Sequence, residues 1–186
     1  IADAGLVAVG VDAVGHGARR LPDLDARIAL PLEGARREML ALADASADEV
    51  PALVRALVDE GIADAGRVAL AGVSMGGYLA YRAVLREPAL RVVVALLGSP
   101  EWPDAGSPHL RPDRFDTVAL LAVTAGRDAN VPPAAARRFH EVLRARRGSD
   151  ERLRYVELEG AEHLMSAGQW ERLMRETVGW LTTHLR

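Results

Sequence analysis

The stretch Arg67 to Gly77, RVALAGVSMGG, constrains the fold of this chain more than any other. Val68, Ala69, Leu70 and Ala71 form a short apolar run, of the kind that makes a strand buried on both faces. Gly72-Val73-Ser74-Met75-Gly76 follows, and Gly77 to Leu85 can continue as a helix. A strand, a G-x-S-x-G turn and a helix together make a nucleophile elbow. The glycines have a steric purpose, because strand and helix nearly touch at such a turn. The serine hydroxyl then stands clear of the backbone at a helix N-terminus, where free N–H groups and the helix dipole favour developing negative charge. The plainer reading of the same residues is a glycine-rich turn whose serine caps the helix.

Composition narrows what can surround this elbow. The 186 residues are enough for a substantial core and are read as one domain, 1–186. With 49% hydrophobic and 26% charged residues, the chain has the balance of a soluble globular protein. A net charge of −3 offers no electrostatic case for nucleic acid or an anionic membrane surface. The absence of cysteine excludes disulfides, thiol catalysis and cysteine-ligated zinc. No apolar run is long enough to span a bilayer, and no basic-then-apolar leader opens the chain, so a cytoplasmic protein is expected.

Strand and helix signals alternate along the chain. Leu6 to Asp12 reads as a buried strand, ending in a loop that contains Gly15-His16-Gly17. Residues 21–32, with Pro22 and Pro31, read as loop, and Glu33 to Ala43 as helix. Asp44 to Asp48 is expected to interrupt that helix, with Ser46 or Asp48 capping a new one and Pro51 in its first turn. Val50, Leu53, Val54, Leu57 and Val58 then make one helical face, which Gly61 ends. Leu90–Leu97, Val118–Ala125 and Leu153–Leu158 are strand candidates, and helices are expected after Pro132-Pro133 and from about Gly168 to the C-terminus. The four prolines between Gly98 and Asp116 mark a surface excursion, 99–116. The alternation predicts a mostly parallel α/β sheet with helices on both faces.

A serine nucleophile needs a base, and the base needs an orienting partner. In such a sheet the loops after the strands share one edge, so candidates should follow strands. Asp128 comes two residues past Gly126, directly after the strand Val118–Ala125, and His163 lies in the loop after the last strand. The order Ser74, Asp128, His163 is nucleophile, acid, base. His16, set between two glycines, is an alternative base, although a turn-shaping role suits its neighbours better. The arginines from Arg137 to Arg147 read as a solvated helix face. No histidine pair has metal-ligand spacing, so neither metal nor cofactor is expected.

Three further segments give this pattern a family resemblance. Gly126-Arg127-Asp128-Ala129-Asn130-Val131-Pro132 is similar to the acid loop of α/β-hydrolases, and Gly160-Ala161-Glu162-His163 to their histidine loop. Asp12-Ala13-Val14-Gly15-His16-Gly17 resembles the Asp-x-x-Gly-His-Gly segment that follows an earlier strand of that fold. The resemblance leans toward the dienelactone-hydrolase and prolyl-oligopeptidase-like esterase branch. It implies a serine hydrolase acting on a small-molecule ester, with Ser74 as nucleophile, His163 as base, Asp128 as orienting acid and the Met75 N–H as oxyanion donor. Ser99, Glu101 and Trp102, just after a strand, would line the substrate pocket. Thioesterase, lactonase, peptidase and non-catalytic binding roles stay open at this point, as does the oligomeric state.

The resemblance also carries an expectation about the N-terminus. In that fold a further strand lies in the sheet between the segment equivalent to Leu6–Asp12 and the elbow strand, and the loop after it supplies a second oxyanion donor. Ile1 to Gly5 are too few for a strand and its crossover. The expectation is therefore an N-terminally incomplete α/β-hydrolase fold, with Leu6–Asp12 two strand spacings, about 9–10 Å, from Val68–Ala71.

Overall fold

The computed structural model describes residues 2–148 and 151–185. Its frame is a four-stranded parallel sheet in the order β1 (Ala69–Val73), β2 (Val92–Leu96), β3 (Ala119–Ala125), β4 (Leu153–Leu158). Every residue of β2 and β3 is buried, which is why these runs read as continuous valine, leucine and alanine. Alternate side chains feed two cores. Val93, Ala95, Leu120 and Ala122 face α2 (Leu32–Asp59), α3 (Met75–Ala83) and α4 (Ala134–Arg147). Val92, Val94, Ala119, Leu121 and Val123 face α5 (Ala167–His184) through Leu173, Trp180 and Leu181. Period-two alternation thus places helices on both faces of the sheet.

Three elements depart from the sequence reading. The first is Leu6–Asp12, which is not a strand. Val7, Val9 and Val11 are 73%, 49% and 54% exposed, and the segment forms no ladder with β1. An apolar run becomes a strand only where a neighbouring edge supplies hydrogen-bond partners. Here a groove of about 360 Å³, lined by Leu6, Val7 and Val9 on one side and Val68 to Ala71 on the other, separates the two. Leu6 still packs onto the α5 core.

The second is α2, one continuous helix of 28 residues through Asp44–Asp48 and with Pro51 inside it. Ser46 caps nothing. Its hydroxyl donates to the Leu42 carbonyl, one turn back, and accepts the Val14 N–H. Asp44 is bound by Arg82 of α3, and Asp48 by Arg86 in the turn that follows that helix. Burial of Leu40, Ala43, Ala47, Val50 and Val54 along one face outweighs the lost proline hydrogen bond. The third is a short helix, α1 (Leu24–Ile28), within the expected loop 21–32. The last helix begins at Ala167 and is closed by a capping box of Ser166 and Gln169.

One core residue gives the fold a pH dependence. His140 on α4 is 2% exposed, its Nδ1 lies 3.0 Å from the Ala136 carbonyl, and its Nε2 has no partner. Burial holds its pKa down at about 4, against the pull of the Ala136 hydrogen bond and with help from Arg144 and Arg147. Between pH 6.5 and 4 the unfolded chain therefore binds a proton that the folded chain refuses, and stability falls as pH falls. The loss amounts to about 3 kcal/mol at the acid end. Denaturant titrations across this range should show it, and His140→Leu should flatten the profile there; an unchanged slope would remove His140 as its source.

Candidate active site

The site lies where β1, β2, β3 and β4 end. Ser74 follows β1 with φ 55° and ψ −111°, a left-handed conformation unusual for a residue with a side chain. Its N–H donates to the Leu96 carbonyl at 2.8 Å, and its carbonyl accepts the Tyr78 N–H at 3.1 Å. These two bonds bind the elbow to β2 and to α3. The Ser74 side chain makes no capping bond, which leaves the hydroxyl available. Met75 opens α3, directly after the serine, so its N–H has no acceptor within the helix.

Gly72 and Gly98 are required by contact, whereas a Cβ on Gly76, the second glycine of the motif, would meet nothing. A Cβ on Gly72 would sit 2.1 Å from the Gly76 carbonyl oxygen, and one on Gly98 would sit 2.3 Å from the Gly77 carbonyl carbon. In each case backbone is the obstacle, with no flexible side chain to yield. Gly72→Ala should therefore destabilise the fold by about 1–3 kcal/mol or more. A chemical-denaturation midpoint equal to wild type would contradict this close approach.

Asp128 and His163 arrive on two loops joined by their backbones. Gly126 N–H donates to the Leu158 carbonyl at 3.0 Å, and Arg127 N–H to the Ala161 carbonyl at 2.8 Å. Asp128 is 4% exposed. Its Oδ1 accepts the N–H groups of Asn130 and Val131 at 2.9 and 2.8 Å, and its Oδ2 lies 2.7 Å from His163 Nδ1. His163 Nε2 is 2.9 Å from Ser74 Oγ. A carboxylate accepts at Nδ1 only if the proton is there, which leaves Nε2 as the acceptor facing the serine. Positions 74, 128 and 163 thus form one continuous hydrogen-bonded chain.

The other expected site residues divide. Ser99 and Trp102 are buried beside Tyr78, in an apolar cluster that reaches Met75 and Val131. Ser99 Oγ accepts the Glu101 N–H at 3.1 Å, and its hydroxyl lies by the Tyr78 phenol. Glu101 turns away, and its carboxylate pairs with Arg138 of α4 at 2.8 Å. His16 is not brought to Ser74. Its Nδ1 lies 3.1 Å from the Val14 carbonyl, in a loop tied to α2 by Ser46 and by an Arg19–Glu49 ion pair. His109 Nδ1 lies 2.6 Å from the Ser107 hydroxyl within the excursion.

Two residues that the sequence did not single out matter here. Tyr78, one turn into α3, has its phenol pKa raised by burial, which the nearby Arg36 and Ser99 partly offset. Arg82, one turn further, is 4% exposed and ion-paired to Asp44 and Asp104. Their spacing from Ser74 places both on the helix face toward α2, but only the fold shows what they touch. Among the described residues no cluster of three metal-ligating side chains occurs, and no helix is long and apolar enough to cross a membrane.

The chain is similar to several known proteins. The model of the prolyl oligopeptidase family matches residues 37–107, from α2 through the elbow and into the excursion. A curated relative from Bacillus subtilis (strain 168), named "Putative esterase YitV", is 24% identical over 170 residues, 74% of this chain. The chain spans 65% of that relative's length. Among solved structures, TT1662 from Thermus thermophilus superposes with a TM-score of 0.72 at 23% identity, covering 94% of this chain and 75% of its own. A puromycin-hydrolyzing peptidase from Mycobacterium tuberculosis gives 0.68 at 22% identity, covering 82% of this chain and 28% of that one. The parallel sheet, the elbow and these likenesses together make this chain a protein of the α/β-hydrolase fold.

Proposed function

We propose that the chain is a serine hydrolase that cleaves carboxylic esters through an acyl-enzyme on Ser74. The observation that carries this reading is the chain of contacts from Ser74 Oγ to His163 Nε2 and from His163 Nδ1 to Asp128, at 2.9 and 2.7 Å. Both distances are within reach for proton transfer. Ser74 Oγ attacks the ester carbonyl carbon as His163 Nε2 takes its proton. Asp128 holds the imidazole in the required tautomer and stabilises the imidazolium. The Met75 N–H donates to the carbonyl oxygen as it becomes negative, with the α3 N-terminus adding to the field. His163 then passes the proton to the leaving alkoxide, and a water activated by the same nitrogen releases the acid.

The esterase named among the relatives supports an ester substrate. The match to the prolyl oligopeptidase family supports a second reading, in which the bond cleaved is a peptide. The two differ in the leaving group, since an amine must be protonated as it departs and an alkoxide is a far better leaving group. Incubation with a fluorophosphonate should label Ser74, located by peptide mass spectrometry. Parallel rates on a 4-nitrophenyl ester and a matched aminoacyl 4-nitroanilide then separate the readings. Labelling with turnover of the ester alone supports the esterase, and turnover of the anilide supports the peptidase. No labelling would leave a binding protein that uses the same fold.

A further inference from the structure

Arg82 is a heavily committed side chain outside the Ser74–His163–Asp128 chain. Its Nε donates to Asp44 at 2.6 Å, and its two terminal nitrogens donate to Asp104 at 3.2 and 3.1 Å. One of them also reaches the Gly106 carbonyl. The guanidinium carbon, Cζ, lies over the Trp102 ring, 4.5 Å from its centre. One side chain of α3 thereby binds α2, through Asp44, and the excursion after β2, through Asp104, Gly106 and Trp102.

Trp102 depends on that contact. The ring is 6% exposed and its Nε1–H has no partner, so no hydrogen bond sets its orientation. Its backbone is held by the Ser107 hydroxyl, which accepts the Trp102 N–H at 2.7 Å. The ring itself is fixed by the Arg82 guanidinium over it and by an edge-on contact with Tyr78, centroids 6.0 Å apart. Tyr78, Trp102, Val131 and Met75 share one apolar cluster. Val131 supplies an N–H to Asp128, and Met75 follows the nucleophile. Arg82 is eight positions after Ser74, about 12 Å along the helix, so it acts through Trp102 and not on the substrate.

We propose that Arg82 is a positioning residue that holds Trp102 as the acyl-side wall of the site, and so sets which acyl groups fit beside Ser74. The proposal rests on the serine-hydrolase reading above. A brace alone could be apolar, because a buried ion network is often no more stabilising than packed hydrophobic groups. What an apolar residue at 82 could not supply is a planar cation, fixed at both ends by carboxylates, over the ring of an indole.

The test is a comparison of acyl-chain selectivity, the ratio of kcat/KM for 4-nitrophenyl acetate and 4-nitrophenyl hexanoate. Global loosening lowers both rates, whereas a displaced wall changes their ratio. Arg82→Lys keeps the charge but not the plane or the fork, and Arg82→Met removes all three. Each should shift the ratio by about tenfold, the scale of a small misplacement at a reacting centre. Trp102→Ala should shift it in the same direction, and the double variant Arg82→Met/Trp102→Ala should shift it no further. Asp104→Asn, at a half-exposed position, should give a smaller shift in that direction and keeps the test open if the Arg82 variants fail to fold. The inference is overturned if folded Arg82→Lys and Asp104→Asn keep the wild-type ratio, or if the Arg82 and Trp102 effects multiply independently. Wild-type protein that a fluorophosphonate does not label would instead defeat the serine-hydrolase reading and this inference with it. Labelled wild type with an unmoved ratio defeats this inference alone.

Discussion

Replacing Ser74 by alanine is expected to lower ester hydrolysis by about 10⁴-fold or more, because serine, histidine and aspartate act as a unit and none substitutes for another. The fold should survive the change. The Ser74 hydroxyl caps no helix end, and its one side-chain contact is with His163 Nε2, which is partly open to water. The bonds that hold the elbow run from the Ser74 backbone, to Leu96 and to Tyr78, and alanine keeps both. Left-handed φ is costly for alanine, but serine already bears that cost. Thermal unfolding should therefore move by no more than a few degrees while turnover and fluorophosphonate labelling disappear. A variant that kept a tenth of wild-type activity would remove Ser74 as the nucleophile.

Asp128→Asn is expected to cost about 10⁴-fold in kcat at nearly unchanged stability. The side-chain oxygen that accepts the Asn130 and Val131 N–H groups is retained in the amide, so the loop keeps its two anchors. What changes is the atom facing His163. An NH₂ group at the Oδ2 position donates to Nδ1, which forces the ring proton to Nε2 and removes the acceptor that Ser74 requires. Asp128→Ala differs in a telling way. It abandons two N–H donors as well, that of Val131 buried and that of Asn130 partly so, and should lose a further ~1–3 kcal/mol of stability. Kinetics and denaturation measured on both variants separate the tautomer role from the anchoring role. Asp128→Asn turning over within tenfold of wild type would show that Asp128 does not orient the base.

Much of this site was legible in the chain itself. Ser74 was marked by two glycines; for Gly72 the need is steric and local, realised in its close approach to Gly76, while Gly76 itself has room for a Cβ. Asp128 and His163 were marked by position, each just past a run of strand formers. Parallel strands bring such loops to one edge of a sheet. The pocket residues were less legible. Ser99, Glu101 and Trp102 share a loop, yet Glu101 leaves for Arg138 while Ser99 and Trp102 pack on Tyr78. Nothing in a run of three neighbours says which way each side chain turns, because the answer lies on α3 and α4.

The sequence by itself determined the elements whose causes are local: the elbow, four strands and the order of nucleophile, acid and base. Of these strands β1, expected to be buried on both faces, is half-buried or exposed along its length. Tertiary structure decided where distant partners outweighed local signals. Asp44 to Asp48 looks like a helix break until Arg82 and Arg86, 38 residues on, bind Asp44 and Asp48 and the break disappears. Leu6–Asp12 looks like a strand until its pairing is examined, and without a ladder its valines stay exposed. Trp102 is marked in the sequence only by its place after a strand, and what holds its ring is an arginine from a different element. The physical reason is common to all three. Sterics and side-chain periodicity act within a few residues, whereas ion pairs, ladder bonds and ring contacts need a partner that only the folded chain brings within reach.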